Sequence, residues 1–198
     1  MPDDLASQQG LYVRRQFFDD HLRGALLAES EHRADEAGAI FRNTDTMVDE
    51  GYRRCRVVGM SPGIAGVVAS RFDGVMPELE AHFRIRLEGF QHPRLLRYRK
   101  GDFFVAHQDS DAQGPPWLRD RKITAVVFVN SQQASPLQGD YRGGMLTLYR
   151  LTDEQSGEDA RTRVPVEPGL LIAFRASLFH EVSRVTQGER YSVVTWFG

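Results

Sequence analysis

His107 and Asp109 stand two positions apart in DFFVAHQDSD, where an apolar run gives way to polar residues. Side chains two apart on a strand share a face, so a regular strand would aim both groups, together with Phe103 and Val105, in one direction. One imidazole and one carboxylate can occupy two positions on a metal ion and leave a third ligand to be found. Of the six histidines, His21 and His32 fall in a helical pattern and its end and read as solvated, His82 lies in a second helical pattern, and His92 precedes Pro93. His180 differs: it opens HEVSRV directly after the apolar run LLIAFRASLF. Two imidazoles and a carboxylate with the remaining positions open form the donor set of a non-haem Fe(II) site, where dioxygen and a co-substrate can bind one ion together. A closed structural site would leave no such room. The plainer readings are that Asp109 or Asp111 forms a turn in QDSDAQG and that His180 hydrogen-bonds to the backbone.

Arg190 follows the TQGE turn and starts the last apolar run, RYSVVTWF, in which Arg190, Ser192, Val194 and Trp196 share one face. If that face looks inward, a guanidinium sits inside an apolar barrel and requires a carboxylate partner, which a dicarboxylic co-substrate would supply through a bidentate contact. If it looks outward, Arg190 is a hairpin-mouth residue.

The elements that must position these groups change rhythm near residue 90. FFDDHLRGALLAESEHR places Phe18, Leu22, Leu26 and Leu27 on one side of a helix capped by Asp19 or Asp20. SPGIAGVVASRFDGVMPELEAHFRIRL predicts a second helix, capped by Ser61 with Pro62 in its first turn and interruptions expected at Gly74 and Pro77. From Gln91 onward, about eight short strands separated by Gly, Pro and Asp predict a sandwich or jelly roll rather than alternating βαβ units. The expected organisation is one domain, residues 1–198, with a helical buttress over 1–90 and a β core over 91–198. At 41% hydrophobic the chain can bury a core, and 25 basic against 27 acidic residues give a net charge of -2 that argues against a dedicated nucleic-acid or membrane-surface protein. One cysteine, Cys55, excludes an internal disulfide and fits a reducing compartment. The start MPDDLASQQG does not read as a signal peptide and no run reaches the length of a membrane span, so the expected location is cytoplasmic.

The C-terminal half, about Gln91 to Phe197, resembles the 2-oxoglutarate- and Fe(II)-dependent dioxygenases, in particular their prolyl 4-hydroxylase-like branch. RYRKGDFFVAHQD, RKITAVVFVN, GGMLTLY, VPVEPGLLIAF and HEVSRVTQGERYSVVTWF occur in the family's order. The resemblance implies a mainly β fold with N-terminal helices (α+β) around a double-stranded β-helix, or cupin-like jelly roll. It implies iron held by His107, Asp109 and His180, 2-oxoglutarate chelating that iron, and Arg190 clamping the distal carboxylate. Tyr98 stands where relatives often hydrogen-bond the co-substrate, and otherwise reads as an ordinary strand aromatic. Phe128 departs from the family, which commonly has tyrosine there, so the clamp lacks one donor. The implied reaction is hydroxylation of a peptidyl-prolyl or related substrate with O₂, releasing succinate and CO₂, with ascorbate as an accessory reductant; the carboxylate at Asp109 favours hydroxylation over halogenation.

The substrate is less legible. DSDAQGPPWLRDR reads either as a lid, with Trp117 covering a ring or peptide and Arg119 or Arg121 pairing with an acid, or as a surface loop with Trp117 tucked against the barrel. SQQASPLQGDYRGG is a second candidate wall offering Tyr141, and RRCR at 53–56 reads as a solvated strand edge. Free amino acids or other small molecules are the alternative substrates. A basic cluster at Arg97, Arg99 and Lys100 could serve an oligonucleotide but lacks interleaved aromatics. The alternative function is a non-catalytic module that binds metal or 2-oxoglutarate as a sensor, or binds protein. Nothing in the sequence fixes the oligomeric state.

Overall fold

Period-two alternation runs through the C-terminal half, and it decides which side chains face which layer. The computed structural model describes residues 10–42, 45–149 and 161–198. The chain opens with β1 (Leu11–Arg14) and α1 (Asp20–His32), then passes through β2 (Asp35–Ala37), β3 (Ile40–Arg42), β4 (Asp45–Met47), β5 (Arg53–Arg54) and β6 (Arg56–Val58) into α2 (Pro62–Phe83). Next come β7 (Arg94–Tyr98), β8 (Phe103–His107), the one-turn α3 (Pro116–Arg119), β9 (Ile123–Phe128), β10 (Arg142–Gly143) and β11 (Leu146–Tyr149). β12 (Arg161–Arg163), β13 (Leu171–Arg175), β14 (His180–Val182), β15 (Val185–Gln187) and β16 (Arg190–Phe197) complete it.

Two antiparallel sheets form the jelly roll. The larger has the order β1-β13-β9-β16-β7-β6-β2 and the smaller β12-β11-β14-β8-β5, with short pairs β10-β15 and β3-β4 beside them. β16 is central and all eight of its residues are buried, as expected of a strand covered on both faces. Its odd-numbered residues Tyr191, Val193 and Phe197 join Ile123, Ala125 and Val127 of β9 under the helices. Even-numbered Val194 and Trp196 join Val126 and Phe128 between the sheets.

Both helices dock on the outer face of the larger sheet. Asp19 caps α1 by accepting from Leu22 N, and Ser61 caps α2 by accepting from Ile64 N with Pro62 in the first turn. α2 runs unbroken through Gly74 and Pro77, against the expected interruption. Val68, Phe72, Val75, Leu79 and Phe83 are buried along one face, and that apolar docking outweighs the roughly 3 kcal/mol that an interior proline costs a helix. The first ninety residues are not helical alone. β1 pairs with β13 and β6 with β7, so the N-terminal segment supplies both flanks of the larger sheet. No described helix is long and apolar enough to cross a membrane.

Candidate metal centre and its cavity

His107 ends β8 and His180 begins β14, and the two are directly paired across the smaller sheet. Between His180 and Val182 the register shifts, because Val182 pairs with Phe104 and β8 spends one more residue than its partner. This bulge corrects the expectation of a regular strand. Phe104, not Phe103 or Val105, turns to the cavity with His107, and their rings stack with centroids 3.4 Å apart. Asp109 lies beyond the strand end, fixed by its backbone N–H donating to Ala176 O at 2.8 Å.

The three side chains converge as the sequence predicts. His107 Nε2 is 3.5 Å from Asp109 Oδ1 and His180 Nε2 is 3.3 Å from Asp109 Oδ2. One ligand atom from each residue lies within 4.8 Å of the others, and all three residues are buried. Each imidazole is held at its far nitrogen: Nδ1 of His107 meets Val105 O at 2.8 Å, and Nδ1 of His180 meets Leu178 O at 2.9 Å. A carbonyl can only accept, so both rings carry the Nδ1 proton and present Nε2 to the common point. Thr124 of β9 donates to Asp109 Oδ2 at 2.8 Å. Oriented ligands with this outer support fit a divalent metal.

The electrostatics follow from burial and proximity. Burial alone would raise the Asp109 carboxyl, yet His180 first, and then His107, hold it well below the usual carboxylate range. His180 is raised because the neighbouring Asp109 overcomes burial. His107 is lowered, first by burial and then by the charge of His180.

A cavity of about 880 Å³ opens from this point between the sheets. Arg190, Ser192, Val194 and Trp196 line one side in the order that alternation predicts. Arg190 is only 1% exposed. Its Nη1 donates to Ser192 Oγ at 2.8 Å while Nε finds no acceptor among the described residues. Tyr98 is buried beside it, with the guanidinium 5.1 Å from its ring centre, and Phe128 lies 5.6 Å away on another side.

Tyr141 is placed differently from the sequence expectation. It is fully buried, does not line the substrate cavity, and turns its hydroxyl towards Arg190 with no acceptor for its proton among the described residues. Burial raises that hydroxyl's pKa and Arg190 opposes the rise. Gly144 makes room for this pair: at φ +61° its added Cβ would lie 2.9 Å from Arg190 Cδ and 3.3 Å from Tyr141 Cε2.

Trp117 sits at the cavity mouth, 44% exposed, with its ring edge-to-face on Phe41. Arg119 points away from the cavity and pairs with Asp120 at 3.4 Å. Arg121 takes the inward place instead, donating to Gln91 Oε1 and Asp109 O, with its guanidinium 3.7 Å from the Trp196 ring centre. Burial pushes it down to about 10 against the opposing charge of Asp109, and Arg94 and Arg53 add to the fall. The wall that sequence reasoning missed is N-terminal. The β3–β4 hairpin contributes Ile40, Phe41 and Thr46, and Arg53, expected on a solvated edge, is buried and faces the cavity. The basic cluster is largely paired: Arg97 with Asp35, and Arg99 with Glu189 at 3.3 Å.

The profile of the 2OG-Fe(II) oxygenase superfamily matches residues 93–198, which include both histidines, Asp109 and Arg190. This chain belongs to that superfamily. Among curated relatives, a PKHD-type hydroxylase of Paracoccus denitrificans is 25% identical across 99% of this chain and 75% of its own length. Another, of Nitrobacter winogradskyi, is 31% identical over 52% of this chain and 42% of the relative. The fold agrees with solved structures: a Pseudomonas putida prolyl-4-hydroxylase has a TM-score of 0.71 at 23% identity, covering 98% of this chain and 95% of that one. A prolyl hydroxylase from Trichoplax adhaerens, solved with a hypoxia inducible factor peptide, gives 0.74 at 16% identity over 100% of this chain and 87% of that one. The chain is therefore a 2-oxoglutarate-dependent dioxygenase, using Fe(II), 2-oxoglutarate and O₂. The non-catalytic reading is set aside for this oxygenase.

Proposed function

We propose that this dioxygenase hydroxylates a peptidyl-prolyl or related substrate, with His107, Asp109 and His180 holding the iron and Arg190 the distal carboxylate of 2-oxoglutarate. The observation that carries the reading is the convergence of two tautomer-fixed imidazoles and one carboxylate in one cavity with a buried guanidinium that meets no carboxylate among the described residues and whose Nε finds no acceptor there. When bound, the iron and 2-oxoglutarate supply the oxidation: dioxygen is divided between succinate and the hydroxylated substrate, with loss of CO₂.

The residues supply the placement. Arg190 binds an anion at the closed end of the barrel, and Tyr141 provides the hydroxyl that Phe128 cannot. Tyr98 packs the flank of that subsite and Trp117 borders the substrate entrance. The prolyl assignment draws on the PKHD-type relatives and on the Trichoplax adhaerens enzyme seen with a peptide. We read the chain as a single cytoplasmic domain.

Anaerobic addition of Fe(II) and then 2-oxoglutarate should produce the weak visible charge-transfer band of a chelated keto acid. His180→Ala should remove the band. Arg190→Met should leave metal binding intact while abolishing saturation by 2-oxoglutarate, and Tyr141→Phe should weaken that saturation about tenfold, the loss of one charge-assisted hydrogen bond. A band that saturates normally in Arg190→Met would place the distal carboxylate elsewhere.

A further inference from the structure

Charge does not balance in the cavity once the reaction's own components are counted. A divalent iron, the Asp109 carboxylate, a doubly charged 2-oxoglutarate and Arg190 neutralise one another. Three more guanidiniums line the same cavity, Arg53, Arg94 and Arg121. No carboxylate lies within ion-pair distance of any of them among the described residues, and the remaining wall carboxylate, Asp111, is exposed and accepts from Gln113 N.

Their hydrogen bonds and ring contacts are to neutral groups, and the carboxylate that favours the charged forms of Arg53 and Arg121 is Asp109, already counted with the metal site. Arg53 donates to Cys55 Sγ and Ala39 O, and its guanidinium stands 4.8 Å from the ring centre of Phe104, which stacks on His107. Arg121 is fixed by Gln91 and the Asp109 carbonyl. Arg94 is the freest, half-buried over the Trp196 ring at 5.5 Å and, among the described residues, without a hydrogen bond or ion pair of its own. Its charged form is disfavoured by burial and by Arg53, and favoured only by Glu36 on β2. Like charges gathered in a part-buried cleft are costly, and an incoming anion relieves them. A residue that only covered apolar surface would not need three cations on one wall.

Register places this wall relative to the site. Arg94 pairs with Val194 at the end of β7 away from Tyr98, which pairs with Arg190. Arg94 therefore stands four residues along the strand from the distal-carboxylate subsite, about 13 Å at the usual strand rise. Arg190 and Arg94 thus serve two separate anions.

Resting on the function proposed above, we propose that the substrate carries a carboxylate, received on the cavity wall by Arg94 and Arg53 while the carbon to be oxidised faces the metal. The rim beside them is apolar, with Phe41, Trp117 and Phe179, so the substrate joins a hydrophobic body to an acid. Two sources share that chemistry: the free α-carboxylate of an amino acid, or an acidic residue next to the target in a peptide.

Two matched pairs of probes separate them. N-acetyl-L-proline and N-acetyl-L-prolinamide test the free acid; a blocked Glu-Pro-Gly peptide and its Gln-Pro-Gly counterpart test the side chain. Each is titrated anaerobically into the full chain loaded with Fe(II) and 2-oxoglutarate, following the perturbation of the visible band. The acid member of at least one pair should bind about tenfold more tightly than its amide. That margin should vanish in Arg94→Gln while the 2-oxoglutarate titration keeps its midpoint. Arg94→Glu should reverse the preference, favouring a Lys-Pro-Gly peptide, a change that mere loss of packing would not produce. Equal affinity for acid and amide in the wild-type protein, no binding by any probe, or a margin that survives in Arg94→Glu would overturn the proposal. Absence of the band itself before any probe is added is a failure of the iron and 2-oxoglutarate assignment, and so is told apart from a failure here.

Discussion

Thr124 touches no ligand position, yet it settles which way Asp109 points. Its hydroxyl donates to Oδ2 at 2.8 Å, and the same carboxylate lies 3.3 and 3.5 Å from the two imidazoles. Outer partners of this kind are worth about 10- to 100-fold in metal affinity. Thr124→Val keeps the shape and removes the donor, so Fe(II) or Co(II) titration should show a loss in that range with no change of fold. Unaltered affinity would mean that Asp109 is held by its backbone contacts to Ala176 and Arg121 without help from Thr124. The metal trio was legible in the sequence because its chemistry is tied to short spacing and to strand boundaries. Arg53 and Tyr141 were not. Both belong to stretches that look like polar loop or edge, and only the packing of the N-terminal strands beside β8, and of the Gly143–Gly144 turn against Arg190, brings them inside.

At the scale of elements, alternation located the C-terminal strands and told which face of β16 looks inward, since period two survives any uncertainty in strand ends. The bulge in β8 was invisible, because an extra residue leaves no mark in a five-residue apolar run. It nevertheless decides that Phe104 backs His107 and so carries the Arg53 wall. The edge strand β1 was equally hidden: a four-residue strand has too little pattern, and its partner β13 is 160 residues away. α2 shows tertiary packing overriding local propensity, as its buried face carries the helix past Gly74 and Pro77. Gly74 is exposed, and a Cβ added there meets nothing within 4 Å. Gly74→Ala should therefore stabilise the protein by about 0.5–1 kcal/mol, seen as a rise of roughly 1–4 °C in thermal unfolding. A fall in melting temperature would show that α2 needs local freedom at that turn.

Across the whole molecule, the site joins the two layers of the jelly roll. His107 and His180 stand on the smaller sheet, while Asp109 is tied through Thr124 to β9 of the larger one. An ion held by all three residues bridges the two sheets on the wall of the cavity that Arg190 also lines. A ligand that binds only the folded state stabilises it by mass action, about 2.7 kcal/mol at one hundred times its dissociation constant. For a chain of this size that corresponds to about 5–10 °C. Anaerobic Fe(II) should raise the unfolding temperature by that amount, and 2-oxoglutarate should add a further increment only when the metal is present, because Arg190 alone holds one end of it. His180→Ala should lose both increments, whereas Arg190→Met should keep the first and lose the second. A full 2-oxoglutarate increment in metal-free protein would mean that the co-substrate is bound by the guanidinium wall and not across the two ends of the site.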